Sequence, residues 1–248
     1  MSEPGPIPAS LSFLLLQVRN PDDPMRDHER LAFTRALEID SDHCTTLDLL
    51  TESLSSNQLA AADVVLLGGS GDYSATGEGE WLDRALDVLR RLVDARQPTF
   101  ASCWGFQAMA RATGGTVINS PDTAEVGTHQ LFVTTAGRDD PVLGSLGQSF
   151  LAQMGHEDCV SVLPENATLL AFSQRNTHQA YRINDAPIYC TQFHPELTRD
   201  DLYLRVQAYP QYIERIAGMP AEEFIATLEE TPGAESLLRR FVETVFAA

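Results

Sequence analysis

Continuously apolar segments alternate with amphipathic helical patterns along the first part of the chain. The apolar segments lie at 11–18, 44–50, 62–67 and 98–102, and the helical patterns lie at 25–38 and 81–95. Strands that are apolar along their whole length and separated by helices are typical of a parallel sheet covered on both faces. We therefore predict an α/β fold with right-handed crossovers, in which functional loops follow the carboxyl ends of the strands.

The second half of the chain carries shorter apolar stretches separated by turns. These predicted strands lie at 116–119, 130–135, 150–154, 168–173, 179–183 and 188–193. We expect them to extend the same sheet as a meander. From residue 198 onward helical patterns dominate, and the last pattern has its apolar residues on one face. We predict a single domain over 1–248, with a core over 11–197 and a helical extension over 198–248.

Composition narrows the functions that such a domain can have. The 35 acidic residues outnumber the 17 basic ones and give a formal charge of −18. This charge disfavours nucleic acids and anionic membrane surfaces as partners. Every basic residue is an arginine. Since a chain without lysine forms no Schiff base and has no lysine-containing phosphate loop, we expect no ATP-consuming step within it.

Cysteine usage and the amino-terminal segment bear on the cellular compartment. The four cysteines (Cys44, Cys103, Cys159 and Cys190) show no C-x-x-C spacing. This pattern indicates reduced thiols rather than a zinc or redox site. The amino terminus has no basic region, and the apolar run at 11–18 is too short to span a bilayer. We therefore expect a cytoplasmic protein.

One cysteine lies where a predicted strand runs into a helix. The stretch TFASCWGFQAMA, residues 99–110, places Cys103 at the turn, between Ser102 and the Trp104-Gly105 pair. Small neighbours suit a sharp strand-to-helix turn, which holds a nucleophile clear of the sheet. The helix amino terminus adds N–H groups and a positive dipole end, and both favour a thiolate. A buried strand-end cysteine explains this segment equally well, so the segment alone leaves both interpretations open.

Two further motifs supply what a cysteine nucleophile needs. QFHPE at 192–196 places His194 and Glu196 after the last strong strand, where a base and the acid that orients it complete a triad. GGSG at 68–71 follows another strand, and its backbone N–H groups could stabilise an oxyanion. Taken singly, His194 could be structural and the glycines a tight turn. Together with the cysteine turn, these motifs favour nucleophilic catalysis.

These motifs resemble those of class I, triad-type glutamine amidotransferases, particularly stand-alone relatives of the amidotransferase domain of GMP synthetase. The matching motifs run in order across 11–197: LLGGSG, SCWGFQ, the turn at 125–127, MGHED and QFHPE. The resemblance implies a three-layer, mostly parallel, flavodoxin-like sheet with helices on both faces. Two positions differ from the family pattern, since Ala101 stands where glycine is usual and Ser70 where proline is usual.

The resemblance also implies roles for individual residues. Cys103 is then the nucleophile, His194 the base and Glu196 the orienting acid, while the N–H groups of Gly69 and Trp104 form the oxyanion hole. The residues that recognise glutamine map to Gly71, Gln107, Gly155 and His156, the last two mainly through their backbones. The implied reaction is glutamine hydrolysis through a γ-glutamyl thioester, which needs no metal and no organic cofactor.

Three functions stay open on the sequence. The chain is expected to act as a glutamine amidotransferase or glutaminase, with a separate synthetase subunit as a potential acceptor of ammonia. A stand-alone hydrolase of γ-glutamyl peptides or amides would use the same triad. A catalytically silent regulatory or binding protein is the third, and the intact Cys103, His194 and Glu196 argue against it. The extension after Glu196 could cap the site or widen its rim.

Several other conspicuous residues are interpreted as structural. Cys44, Cys159 and Cys190 are expected to be buried thiols, because none precedes a helix through a small-residue turn. Four histidines have no spaced carboxylate or cysteine partner and are expected to be ordinary surface or hydrogen-bonded histidines: His28, His43, His129 and His178. In the extension, Tyr203, Tyr209 and Tyr212 are expected to pack in the core.

Overall fold

The predicted alternation of strands and helices is present in the first half of the chain. The computed structural model of the protein describes residues 7–210 and 213–247. Its strands are β1 (Phe13–Gln17), β2 (Cys44–Asp48), β3 (Val64–Leu67), β4 (Thr99–Ser102), β5 (Thr116–Asn119), β6 (Glu125–Val133), β7 (Ser149–His156), β8 (Asp158–Val162), β9 (Ala167–Phe172), β10 (Ala180–Ile183) and β11 (Ile188–Thr191). Its α-helices are α1 (Met25–Leu37), α2 (Ser56–Ala61), α3 (Glu80–Asp94), α4 (Trp104–Ala112), α5 (Thr135–Arg138), α6 (Arg199–Ala208), α7 (Ala221–Ala226), α8 (Pro232–Glu235) and α9 (Leu237–Phe246). A short π-helix covers Ile213–Ala217.

Nine of the described strands form one mixed sheet in the order β2-β1-β3-β4-β11-β10-β9-β6-β7. The strands from β2 to β11 run parallel to one another. The pairs from β11 to β7 are antiparallel. Because β3, β4 and β11 are parallel neighbours, the loops that follow them meet at one edge of the sheet. The structure confirms the predicted α/β class.

Apolar clusters on both faces of the sheet make a three-layer structure. On one face the strands pack against α3 and α4, with Leu89 and Phe106 among the fully buried residues. On the other face they pack against α1 and α9, where Phe241 contacts the rings of Phe100 and Tyr189. Of the helices within 7–210 and 213–247, none combines the length and apolarity needed to cross a bilayer.

Two expectations for the strands of the second half are wrong. The strand at 116–119 does not join the large sheet, because it follows α4 directly, packs against that helix and pairs there with β8. The segment at 125–127 is the beginning of β6 rather than a turn, since Glu125 pairs with His156 and Gly127 with Met154 across the ladder to β7. Local turn-forming residues are overridden here by pairing with a distant strand.

The carboxy-terminal helices lie on the core. Residues of α9 share one apolar cluster with β1 and α1. Residues of α6 and α7, including Leu202 and Phe224, form a third cluster with Val126 and Leu197 next to the carboxyl ends of the central strands. The single domain over 1–248, with its core and extension, stays a prediction. Tyr212 lies outside the described residues.

Candidate active site

Cys103 occupies a sharp turn between β4 and α4. Its backbone has φ 52° and ψ −105°, a conformation that costs a non-glycine residue free energy and that surrounding structure must hold in place. The Cys103 N–H donates to Thr191 O at 2.8 Å, which ties the turn to β11. A Cβ added at Gly105 would lie 2.7 Å from Leu67 Cβ and 3.2 Å from Ala101 Cβ, so the turn requires small residues on both sides.

His194 and Glu196 reach Cys103 because β11 is the parallel neighbour of β4. The Nδ1–H of His194 donates to Glu196 Oε1 at 2.7 Å, and both side chains are buried. Burial lowers the pKa of His194, but the Glu196 carboxylate and the neighbouring Cys103 outweigh it and raise that pKa to about 9. Burial alone would raise the pKa of Glu196, and His194 and Arg205 hold it below its ordinary value. The site therefore favours an imidazolium next to Cys103 at neutral pH.

Two backbone donors lie beside the thiol. A Cβ added at Gly69 would come within 3.0 Å of His194 Cε1 and 3.6 Å of Cys103 Sγ, so the Gly69 backbone lies directly against both groups. Trp104 is the first residue of α4, and an N–H in that position has no intrahelical acceptor. Both residues therefore lie next to the sulfur on which an oxyanion intermediate would form.

The residues mapped to glutamine recognition line one cavity with Cys103. This cavity, which we call the glutamyl cavity, has a volume of about 180 Å³ and is bordered by Gly71, Gln107, Gly155 and His156. Gln107 Nε2 donates to Asp158 O at 2.8 Å and to Gln192 Oε1 at 3.1 Å, so its amide is held in place. The structure thus brings every predicted site residue together.

Glu125 is a site-supporting residue to which sequence reasoning assigned no role. It is buried against His156, whose Nε2 lies 3.2 Å from its Oε2. Gln179 Nε2 and Asn176 Nδ2 donate to the same oxygen at 2.5 and 2.8 Å. Burial would raise its pKa, but His156 and Asn176 lower it to about 2. This contact with Glu125 holds His156, next to Gly155, in the cavity wall. The one sequence signal for this supporting role was that the carboxylate of Glu125 belongs to the 125–127 motif.

Replacing Glu125 with glutamine is expected to lower the free energy of unfolding at pH 7 by about 2 kcal/mol, because charge-assisted hydrogen bonds are lost in a buried site. The pKa of Glu125 in the folded protein lies below its ordinary value of 4.5. The stabilisation that Glu125 gives is therefore fully present above pH 4.5 and is lost as pH falls toward 2. Urea unfolding between pH 3 and 7 measures both effects. The exposed Glu165 offers the matched control, Glu165→Gln. Equal acid sensitivity in wild type and Glu125→Gln would contradict the assignment.

The extension contributes polar groups to the site, as the sequence allowed. Arg205 of α6 lies with Nη1 3.3 Å from His194 Nδ1 and is almost fully buried. The expectation that Tyr209 packs in the core is wrong. Its hydroxyl donates to Asp23 Oδ2 at 2.7 Å and accepts from Arg19 Nη1 at 2.9 Å. Its ring also covers Gly71, where an added Cβ would lie 2.6 Å from it.

Other predictions about single residues have mixed outcomes. Cys44, Cys159 and Cys190 are buried thiols, as expected. His28 does have a carboxylate partner, because α6 brings Asp201 Oδ1 to 3.1 Å from its Nε2. Tyr203 is half-buried and packs against the third apolar cluster. Within the part of the chain that the structure describes, no group of His, Cys, Asp or Glu side chains is arranged to hold a metal ion.

The chain belongs to a known family. It matches the family described as glutamine amidotransferase class-I over residues 34–202, a span that contains every predicted site residue. γ-Glutamyl peptidase 3 of Arabidopsis thaliana is 27% identical over 172 residues, covering 67% of this chain and 65% of the relative. A glutamine-hydrolysing GMP synthase of Thermosipho africanus is 35% identical over 107 residues, covering 43% of this chain and 20% of the relative. These alignments span less than two thirds of either relative.

The fold has close counterparts among solved structures. A glutamine amidotransferase from Thermotoga maritima superposes with a TM-score of 0.76 over 96% of this chain and 99% of that one, at 19% sequence identity. At this identity the likeness concerns the fold alone. The resemblance drawn from the sequence motifs and the predicted fold class are both confirmed.

Proposed function

We propose that the chain hydrolyses the side-chain amide of glutamine, or of a γ-glutamyl amide, through a thioester on Cys103. The observation that carries this proposal is the grouping of Cys103 with the hydrogen-bonded pair His194 and Glu196, where Cys103 itself borders the glutamyl cavity. The buried His194 has a raised pKa and a carboxylate behind it, which suits a group that gives and takes protons next to a thiolate.

In the first half-reaction, the Cys103 thiolate attacks the γ-carbonyl carbon, and the N–H groups of Gly69 and Trp104 stabilise the oxyanion. Each such donor is typically worth about 3 kcal/mol of transition-state stabilisation. The C–N bond then breaks as His194 gives its proton to the leaving nitrogen. In the second half-reaction, His194 takes a proton from water, which attacks the thioester and releases glutamate and the Cys103 thiolate.

Glutamine is the default substrate, since class-I family membership and the position of Gln107, Gly71 and Gly155 support it. A γ-glutamyl amide is the second candidate, favoured by the similarity to a γ-glutamyl peptidase. A separate synthetase subunit that takes up the ammonia is part of the first candidate, because another relative is a GMP synthase. Cytoplasmic location stays a prediction.

Glutamate release from purified protein tests the proposal. We expect measurable, modest glutaminase activity without an added partner, since a subunit that serves a synthetase gains from staying slow until it docks. An acyl group on Cys103, found by mass spectrometry after rapid acid quenching, would identify the thioester. Inactivity on glutamine and on γ-glutamyl amides, with Cys103 never acylated, would overturn the proposal in favour of a silent fold.

A further inference from the structure

A second, smaller cavity also borders Cys103. This leaving-group cavity has a volume of about 40 Å³ and is lined by His194 and Gly69, neither of which lines the glutamyl cavity. In the proposed mechanism His194 gives its proton to the departing nitrogen. The amine that leaves the substrate therefore departs on the side of this smaller cavity.

The walls of the leaving-group cavity are apolar on one side and cationic on the other. Val126, Leu202 and Val206 supply apolar surface, and Arg205 and Arg19 supply the guanidinium groups. A cavity of 40 Å³ holds about three water-sized atoms, because each needs roughly 10–15 Å³ of such volume. A carboxylate has three heavy atoms of this size.

Arg205 lines this cavity, and two of its guanidinium nitrogens make no hydrogen bond to the described residues. Its side chain is only 8% exposed, yet Nη2 lies 3.6 Å from Glu196 Oε1 and 3.9 Å from Glu29 Oε1, too far for hydrogen bonds. Among the described residues, its Nε and Nη2 find no hydrogen-bond partner. Its Nη1 lies 3.3 Å from His194 Nδ1, which carries the proton donated to Glu196 and therefore offers no lone pair to Arg205.

Arg19 is different, because only its Nε lacks a hydrogen-bond partner among the described residues and both of its terminal nitrogens are engaged. Nη1 bonds to Asp23 Oδ2 at 3.0 Å, and Nη2 bonds to Glu29 Oε1 at 3.1 Å. Buried N–H groups without a partner carry a desolvation cost, and the fork of a guanidinium matches the two oxygens of a carboxylate. Ammonia, the leaving group of glutamine, is no anion and offers no such pair of acceptors.

We propose that Arg205 binds a carboxylate on the leaving group, and that the substrate is the γ-glutamyl amide of a short, unbranched amino acid. This inference rests on the proposed hydrolysis at Cys103. The bonds that change are the same: the C–N bond breaks, the C–S bond forms, and the proton of His194 goes to the amino acid nitrogen. The cavity is small, and Val126, Leu202 and Val206 form its apolar side, which favours an amino acid without a branched side chain.

Initial rates on three amides that share a two-carbon chain on the leaving nitrogen test the charge preference: γ-glutamylglycine, γ-glutamylethylamide and the γ-glutamyl amide of ethylenediamine. We expect kcat/KM for the glycine compound to exceed that for the neutral ethylamide by about tenfold to a hundredfold, the range of one hydrogen-bonded charge pair. The cationic amide is expected to be the poorest substrate.

Arg205→Leu is expected to slow all three amides, because Arg205 also lies against His194 and Glu196, so the readout is the ratio between substrates. The ratio of kcat/KM for γ-glutamylglycine to kcat/KM for γ-glutamylethylamide should fall toward one. Arg205→Lys, which keeps the charge and loses the fork, should give an intermediate ratio. Arg90→Leu, a change on the surface of α3, is the matched control and should leave the ratio intact.

Calorimetry on Cys103→Ala, in which no turnover interferes, gives an independent readout. This variant should bind γ-glutamylglycine more tightly than the ethylamide, and adding Arg205→Leu should remove the difference. Cys103-dependent cleavage of all three amides without charge preference, or equal binding of the two ligands, would overturn this inference and leave the proposed function in place. Absence of any Cys103-dependent cleavage would overturn the proposed function itself, and the inference with it.

Discussion

Replacing Cys103 with alanine is expected to reduce turnover by at least about 10⁴-fold, the scale on which removal of a nucleophile acts in enzymes whose triad works as a unit. The thioester cannot form without the sulfur, and water at the same position lacks the activation that the turn provides. Glutamate release at saturating substrate measures the loss. Circular dichroism on the same sample checks that the fold is retained.

The other cysteines make the matched controls for this prediction. Burial raises the pKa of Cys44 to about 11 and that of Cys190 to about 12, and it also raises the pKa of Cys159. These three thiols are therefore poor nucleophiles at neutral pH. Cys159→Ala should keep full activity, and a glutamine-like electrophile should label Cys103 first in peptide mapping. Label found mainly on Cys44, Cys159 or Cys190 would exclude Cys103 as the nucleophile.

His194 and Glu196 are expected to differ in a way that pH reveals. His194→Ala is expected to reduce turnover by at least about 10⁴-fold. The reduction in Glu196→Gln is expected to be about 100 times smaller, because the acid orients the base without passing the proton itself. With the pKa of His194 raised to about 9, the imidazolium is present below that value and is lost above it. The kcat/KM of wild type should therefore fall on the alkaline side near pH 9, as an apparent value of the coupled pair.

Removing the charge of Glu196 should move this alkaline limb to lower pH, because the Glu196 carboxylate is the largest of the influences that raise the pKa of His194. A merely structural loss would lower activity at every pH and leave the limb in place. Glu235→Gln is a suitable control, since Glu235 is a carboxylate outside both cavities described above. Full activity in His194→Ala, or an unchanged limb in Glu196→Gln, would refute the assigned roles.

Much of the fold and of the site follows from local sequence. Amphipathic helices such as α3 have an apolar periodicity that a strand does not satisfy, and short apolar segments that end in turn residues, such as β3, are typical of buried strands. Their alternation leads to a parallel sheet. A parallel sheet brings the ends of its strands to one edge, so Cys103 after β4 and His194 after β11 are expected to meet. The small residues around Cys103 are likewise a local requirement, as the close approach of Gly105 to Leu67 shows.

What the sequence left undecided are contacts between segments that are distant in the chain. The pairing of β6 with β7 turned 125–127 from a predicted turn into a strand and buried Glu125 against His156. The docking of α6 brought Arg205 to His194 and Tyr209 to Gly71, although neither residue lies in a motif. Periodicity and spacing describe which face of an element is apolar, and so they determine the elements, the sheet and the nucleophile turn. Only packing decides which polar side chains of one element are buried against another, because that free energy depends on partners supplied by the rest of the chain.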